Sequence, residues 1–298
     1  MSLTGESVLF IGAGNMGGPM ATHLLDAGVQ LAVADLSERA LQPFAARGVP
    51  TATSAADLGG DVVITILPTD KHVREALLGS GGAIGKHKRS IVIEMTSAAP
   101  TATKRLAAEL HELGIPLIDA PVSGGVRGAK GAKLTTMVGG DEKLFELYRP
   151  LLALMCNNIR HVGAVGSGHT LKALNNFLSG VSLWATCEAL LIGAKSGLDL
   201  QTMVDVIKTS SGQTNALDTK IVMSVLPRTF DYGFSMRLIS KDVSIAARLA
   251  RELDVPAPVL AQAEENWMLA KSQLGEDTDF SAVMRLLETW ADYELPKT

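Results

Sequence analysis

The first residues with chemical potential are Gly12-Ala13-Gly14-Asn15-Met16-Gly17, three glycines in G-x-G-x-x-G spacing. In such a run the first glycine permits a tight turn, the second bares the backbone to a phosphate, and the third lets a helix pack closely on a strand. The context fits. An apolar run at residues 7–11 precedes the motif, and Met16, Met20, Leu24 and Ala27 then repeat at helical spacing over 15–27. A helix beginning there turns unpaired N–H groups and a favourable dipole towards an anion. Asp35 closes the second apolar run, 18 residues after Gly17. A carboxylate at that place accepts from both hydroxyls of an adenosine ribose and repels a 2′-phosphate, which favours NAD over NADP. A solvated turn aspartate is the plainer reading, and Arg39 stands near enough to weaken the preference.

Two more constellations lie downstream. In Asp119-Ala120-Pro121-Val122-Ser123-Gly124-Gly125, adjacent glycines expose backbone N–H groups beside a hydroxyl. That makes either a cradle for a small carboxylate or an ordinary loop. Lys172, Asn175, Asn176 and Ser179 then fall at i, i+3, i+4 and i+7 in a stretch that is otherwise apolar on most sides. A helix apolar nearly all round is buried, so its polar stripe must meet another subunit, a ligand or a solvated cleft. Lys172 is there either as a salt-bridged structural group or as an acid–base group whose pKa is lowered by burial or by neighbouring positive charge.

Taken in order, the segments resemble one family. The glycine motif continues through Gly18-Pro19-Met20-Ala21, residues 119–129 read D-A-P-V-S-G-G-V-R-G-A, residues 166–176 read G-S-G-H-T-L-K-A-L-N-N, and Lys241-Asp242 follows. Together they are similar to the β-hydroxyacid dehydrogenases, the group of 3-hydroxyisobutyrate dehydrogenase and tartronate semialdehyde reductase, over essentially the whole chain. The resemblance implies that Gly12, Gly14 and Gly17 hold a pyrophosphate, with Asn15, Met16, Leu67 and Pro68 bordering the cofactor and Thr96 near its nicotinamide. It implies that Ser123, Gly124 and Gly125 grip a substrate carboxylate, and that Lys172 is proton donor and acceptor with Asn176 orienting the substrate. Lys241 would reach the nicotinamide ribose, supported by Asp242. The sequence departs from the family at Glu94, where aspartate is commoner, and at His169 and Thr170, where small residues are commoner. Arg127 either reads a second acidic group or faces solvent. These departures bear on the substrate, not on the reaction class.

The elements that must position these residues change character midway. Short β-branched runs at 7–11, 31–34, 61–67, 90–95, 115–119, 134–138 and 159–162 alternate with helical stretches at 15–27, 37–47, 71–78, 100–113 and 141–154. Alternation of this kind predicts an α/β fold, a Rossmann-type doubly wound parallel sheet covered on both faces. Beyond Gly163-Ala164-Val165-Gly166-Ser167-Gly168 only helical patterns occur, at 168–196, 200–208, 217–225, 235–253, 257–272 and 280–293. The expected division is a dinucleotide-binding domain at 1–164 and an all-α substrate and dimerisation domain at 165–298.

Composition narrows the function classes. Hydrophobic residues make up 47% and charged residues 19% of 298, enough to build a sizeable core. A net charge of −4 without a basic face argues against nucleic acid and membrane surfaces as partners. The most apolar run, 183–194, contains Glu188 and is too short to span a bilayer. Residues 1–7 have neither a basic start nor an apolar core, so a cytoplasmic protein without a secretion signal is expected. Cys156 and Cys187 stand in no metal-ligand spacing and are expected as buried thiols, and no metal site is expected. Trp184, Trp267 and Trp290 are expected in the core or at a subunit interface. The turn Ser210-Ser211-Gly212 and Asn215 either line the substrate pocket or simply join helices. The nearly all-apolar helix also predicts a homodimer or homotetramer. The favoured function is NAD-dependent interconversion of a small β-hydroxy acid with its semialdehyde or keto acid. The alternatives are an imine reductase-like enzyme, which usually has another residue in place of the lysine, or a catalytically silent nucleotide-binding scaffold. A 6-phosphogluconate dehydrogenase would need a longer C-terminal region.

Overall fold

The structure is a computed structural model that describes residues 6–85, 87 and 89–296. Most of the N-terminal segment read for a secretion signal, residues 1–5, lies outside the described residues. By internal contacts the chain falls into two compact units, Met1–Lys172 and Ala173–Thr298.

The first unit is built on one sheet. Its strands are β1 (Val8–Ile11), β2 (Leu31–Ala34), β3 (Thr51–Ala52), β4 (Val62–Thr65), β5 (Ile91–Glu94), β6 (Leu117–Asp119), β7 (Val122–Ser123), β8 (Leu134–Gly139) and β9 (Cys156–Gly163). The runs VLFI, LAVA, VVIT and IVIE are buried at every position, because a parallel strand covered on both faces has no side for polar residues. Helices α1 (Gly17–Asp26), α2 (Glu38–Ala45), α3 (Asp70–Leu78), α4 (Pro100–Glu112), α5 (Gly125–Lys130) and α6 (Glu142–Leu152) connect them. Two apolar layers result. Phe10, Val33, Ile64 and Ile93 point into one, and Leu9, Ala32, Val63 and Val92 into the other. The strand order is β3-β2-β1-β4-β5-β6-β8-β7, with β9 beside β8.

This order sets the functional edge. The chain runs outward from β1 to β3 and then returns to place β4 on the other side of β1. Ligands of open α/β sheets bind at such a switch point, beyond the carboxyl ends of the strands. The register makes those ends level: Ile11 pairs with Ala34 and Thr65, Thr65 with Glu94, and Glu94 with Asp119. Gly12, Asp35, Leu67, Thr96 and Ser123 all lie just past that line.

The sheet is mostly parallel, as expected, with β7 and β8, and β6 and β8, pairing antiparallel. The structure differs from expectation in two places. The two-residue strands β3 and β7 are too short to register as periodic runs. The Ser-Gly-Gly segment is not an open loop, because Ser123 ends a strand and Gly125 begins α5.

The second unit is helical, and its first helix, α7 (Ser167–Lys195), begins in the sheet unit. Then follow α8 (Leu200–Lys208), a π-helical stretch Leu217–Val225, α9 (Met236–Glu252), α10 (Pro258–Leu274), a 3-10 turn Phe280–Ala282 and α11 (Val283–Ala291). No strand occurs among the described residues here; one isolated bridge joins Ser235 and Asp279. The core centres on Leu183, Cys187, Leu190, Ile221, Val243, Trp267 and Val283, none with accessible surface. By length and composition α7 is a longer apolar helix than the 183–194 run suggested, long enough to cross a bilayer. Its fully buried Leu183–Cys187–Leu190 stripe marks it instead as the core helix of this unit. Trp184 and Trp267 are buried edge to face, while Trp290 is exposed.

Candidate active site

The glycine turn shows why each glycine is there. Gly12 has φ +103°, and a Cβ on it would stand 2.2 Å from the Ile66 carbonyl oxygen. A Cβ on Gly17 would stand 1.8 Å from the Gly12 carbonyl oxygen. Backbone crowding therefore dictates both. Gly14 differs, since a Cβ there would meet nothing within 4 Å. No protein atom requires that glycine, and it is exposed beside exposed Asn15 and half-buried Met16. The open space a Cβ would fill is the approach a diphosphate needs, so the residues present fit a dinucleotide.

Asp35 is fixed to this turn. One carboxylate oxygen accepts from the Ala13 N–H at 2.7 Å and the other from the Ser37 N–H at 2.8 Å. Each oxygen keeps a second lone pair, enough for the two ribose hydroxyls. Across the switch point, the Leu67 N–H donates to Thr96 Oγ1 at 2.9 Å, tying half-buried Leu67 and exposed Pro68 to the end of β5.

Ser123 is held against β8 through its pairing with Thr135. Gly124 and Gly125, both exposed, have φ +129° and +60°, a region other L residues rarely adopt. Among the described residues no hydrogen bond joins this segment to the glycine turn or to Thr96. Arg127, on α5, is exposed.

Below the edge lies a group whose connection sequence reasoning missed: it named Thr96 as a cofactor neighbour, Asp119 as the start of the Ser-Gly-Gly segment, and Glu94 and His169 as departures from a family pattern, and did not single out Thr103. Glu94, Thr96, Thr103, Asp119 and His169 are all buried. His169 Nε2 donates to the Thr96 carbonyl at 2.6 Å and pairs with Glu94 Oε2 at 3.0 Å. Its Nδ1 lies 2.8 Å from Thr103 Oγ1 and 3.6 Å from Asp119 Oδ2. Thr103 Oγ1 also lies 3.2 Å from the Ala99 carbonyl, so the direction of its hydroxyl proton sets whether Nδ1 donates or accepts. Burial alone would lower the His169 pKa, but Glu94, Asp119 and the Thr96 carbonyl outweigh it and hold the pKa up. Burial raises the Asp119 carboxyl, against the opposing pull of His169 and two backbone N–H bonds. Those bonds come from Gly166 at 2.7 Å and His169 at 2.9 Å, and they fix the start of α7 to the end of β6. A sequence signal did exist: acidic residues ending two adjacent buried strands require a cation or donors between them.

On α7 the polar stripe is the covered one. Lys172 is 8% exposed and Asn176 7%, with Asn175 and Ser179 half-buried, whereas Leu171, Leu174 and Leu178 are exposed. In the helical unit Asn176 Nδ2 donates to Asp242 Oδ2 at 2.5 Å, and Lys241 Nζ lies 3.0 Å from Asp242 Oδ1. The Asn175 side-chain amide donates to Asn176 Oδ1 at 3.2 Å. Three residues named from sequence, Asn176, Lys241 and Asp242, thus form one connected group with the Asn176 amide locked in orientation. Among the described residues no cluster of His, Cys, Asp and Glu side chains could hold a metal ion.

A level strand edge with an open glycine turn at its switch point is the arrangement of a dinucleotide-binding fold, and likeness to known proteins narrows that class. Residues 7–163 match the NAD-binding domain of 6-phosphogluconate dehydrogenase, and residues 166–287 match a family described as the NAD-binding of NADP-dependent 3-hydroxyisobutyrate dehydrogenase. The chain is 37% identical to the NAD-dependent L-serine dehydrogenase of Pseudomonas aeruginosa, covering 95% of this chain and 98% of the relative. It is 36% identical to the 2-(hydroxymethyl)glutarate dehydrogenase of Eubacterium barkeri, covering 94% of each. The solved structure of Mycobacterium tuberculosis 3-hydroxyisobutyrate dehydrogenase with L-serine superposes with a TM-score of 0.86 at 33% identity, covering 95% of this chain and 99% of that one. The chain belongs to the β-hydroxyacid dehydrogenase family. It is an oxidoreductase of CH–OH groups that uses NAD.

Proposed function

We propose that this enzyme interconverts a small β-hydroxy acid and its semialdehyde or keto acid, with Lys172 as general acid and base. The observation that carries the reading is Lys172 itself, a lysine 8% exposed, one helical turn before an asparagine locked by Asp242. The relatives are named for L-serine, 3-hydroxyisobutyrate and 2-(hydroxymethyl)glutarate. These acids share a hydroxyl on the carbon β to a carboxylate and differ elsewhere.

Bound NAD supplies the hydride acceptor. In oxidation the substrate hydroxyl gives its proton to neutral Lys172 Nζ as the carbinol hydrogen leaves as hydride; in reduction the ammonium returns that proton to the developing alkoxide. Asn176 orients the reacting oxygen. Ser123 and the bared N–H groups of Gly124 and Gly125 hold the carboxylate, which does not change during the reaction. Gly12, Gly14, Asn15, Met16, Gly17, Leu67, Pro68, Thr96 and Lys241 border the cofactor, and Asp35 selects NAD over NADP through the ribose. The labour divides between a dinucleotide-binding part, 1–164, and a substrate and dimerisation part, 165–298. Exposed Leu171, Leu174 and Leu178 on α7 support a homodimer or homotetramer, working in the cytoplasm.

The test is kinetic. Lys172→Ala lowers kcat by about 10²–10⁴-fold, the usual worth of a positioned acid–base group, while NAD titrates nearly as tightly as in wild type. Lys172→Arg is almost as inactive, because a guanidinium stays protonated and accepts no proton. Both variants lose the rise of oxidative kcat/KM with pH. Lys172→Arg with more than about a tenth of wild-type kcat overturns the assignment.

A further inference from the structure

The helical unit buries a second lysine. Lys220 is 5% exposed and lies on the π-helical stretch Leu217–Val225, a geometry frequent at functional sites. Its Nζ donates to Asn215 Oδ1 at 2.9 Å and stands 5.7 Å from the centre of the Tyr232 ring. Among the described residues it has no other hydrogen bond and no acidic partner.

Other buried ionic groups are compensated. Arg89 donates to three backbone carbonyls, those of Leu58, Gly60 and Ala83. His169 has Glu94 and Asp119, Glu288 has Arg228, and Asp242 has Asn176 and Lys241. Set beside these groups, Lys220 has only a neutral amide and a ring face among the described residues. An ammonium carries three donors, of which one is used here. Methionine would fill the same volume without the penalty of a buried charge, so packing does not explain the lysine. Burial without an acid also pulls its pKa down.

The residue it reaches is exposed. Asn215 is the first helical residue after the 209–214 turn, and its side-chain NH₂ makes no hydrogen bond among the described residues. The lysine stem is buried while its head ends beneath an exposed amide. Two ammonium donors and two amide donors are thus left on residues joined through Asn215 Oδ1, and the nearest carboxylate along the chain, Asp218, accepts from the Gln213 side-chain amide at 2.6 Å.

We propose that Lys220 and Asn215 form a carboxylate-binding subsite of the helical unit. The chemistry suits either the second carboxylate of a dicarboxylic β-hydroxy acid, a reading that rests on the proposed function, or a free carboxylate effector. Calorimetric titration of the NAD-loaded enzyme with glutarate tests the subsite without requiring turnover. It is therefore independent of the assignment of Lys172. Lys220→Met weakens glutarate binding by about tenfold or more, as loss of a charge-assisted bond requires. Asn215→Ala, at an exposed position, weakens it less, and Lys220→Arg largely restores it. Kinetics then separate the sources. A fall in kcat/KM confined to a β-hydroxy acid bearing a second carboxylate places the substrate's far end there. Unchanged kcat/KM for mono- and dicarboxylic substrates, with glutarate binding lost, identifies a free effector. Glutarate affinity equal in wild type and Lys220→Met, or undetectable in wild type, overturns the subsite.

Discussion

Two buried cations, His169 in the sheet unit and Lys220 in the helical unit, are met in opposite ways. Under the sheet edge, Glu94, Asp119 and His169 form a closed set in which each ring nitrogen of the histidine faces its partners and Asp119 also takes two backbone N–H groups. In the helical unit, Lys220 is buried with one amide acceptor. A closed set holds parts together, here the ends of β5 and β6 and the first turn of α7. An open one leaves unmet hydrogen-bonding capacity that a ligand can satisfy. Burial alone does not distinguish a structural charge from a functional one; the partners do.

The largest effect that sharpens this contrast comes from breaking the closed set. His169→Leu leaves two acids buried without their cation. Removing one member of a buried ionic group destabilises a protein by about 3–5 kcal/mol. Urea unfolding followed by tryptophan fluorescence checks this, and a loss under about 1 kcal/mol would show that the acids are relieved in another way. The effect on NAD affinity should be smaller than the effect on stability, because the glycine turn and Asp35 make no hydrogen bond to this group.

Next in size is the pH dependence of stability, which has opposite signs in the two regions. The His169 pKa is raised in the fold. Its contribution is therefore complete below the unfolded value of about 6.5 and is lost as pH rises through the folded value. The Lys220 pKa is lowered. Its burial penalty is present below the folded value and is relieved as pH rises towards the unfolded value of about 10.4. Urea midpoints measured across mildly alkaline pH should fall less steeply in His169→Leu than in wild type. Identical slopes would remove His169 from the proton balance.

How much of this was legible in the sequence follows from how local each interaction is. The roles of Gly12 and Gly17 lie within one turn, so the motif alone located the crevice, and the i, i+4 spacing of Lys172 and Asn176 put them on one stripe. The α/β alternation and the later helices were equally readable, because periodicity is a local property. The pairing of Glu94 with His169 was not, since β5 and α7 are distant in sequence and only the strand register brings them together. β7 was too short to show a period. The π-winding around Lys220 was hidden because an apolar helical pattern does not specify which hydrogen-bond ladder forms, and Lys220 itself reads as an ordinary helix lysine. The sequence did single out Asn215, though not the cation beside it.

The smallest expected effect is the most discriminating. Replacing a buried charge that has structural partners is destabilising, whereas replacing one that lacks them is not. Lys220→Met keeps the length of the stem and its contact with Tyr232, and removes a charge whose burial no acid offsets. Its stability should equal that of wild type or exceed it by about 1 kcal/mol, because apolar replacements of buried ionic groups are often neutral or stabilising. The gain should be largest below the lowered folded pKa of Lys220, where the wild-type ammonium is charged, and should shrink as pH rises through it and the lysine becomes neutral. Asn215 loses a donor in this variant, but it is exposed and water replaces that bond. Adding glutarate should raise the urea midpoint of wild type and leave that of Lys220→Met unchanged, since a ligand stabilises only the state that binds it. A Lys220→Met protein less stable than wild type by 3 kcal/mol or more, on the scale of about 3–5 kcal/mol for a broken buried pair, would place Lys220 with His169 as a structural charge. The contrast between the two regions would then fail.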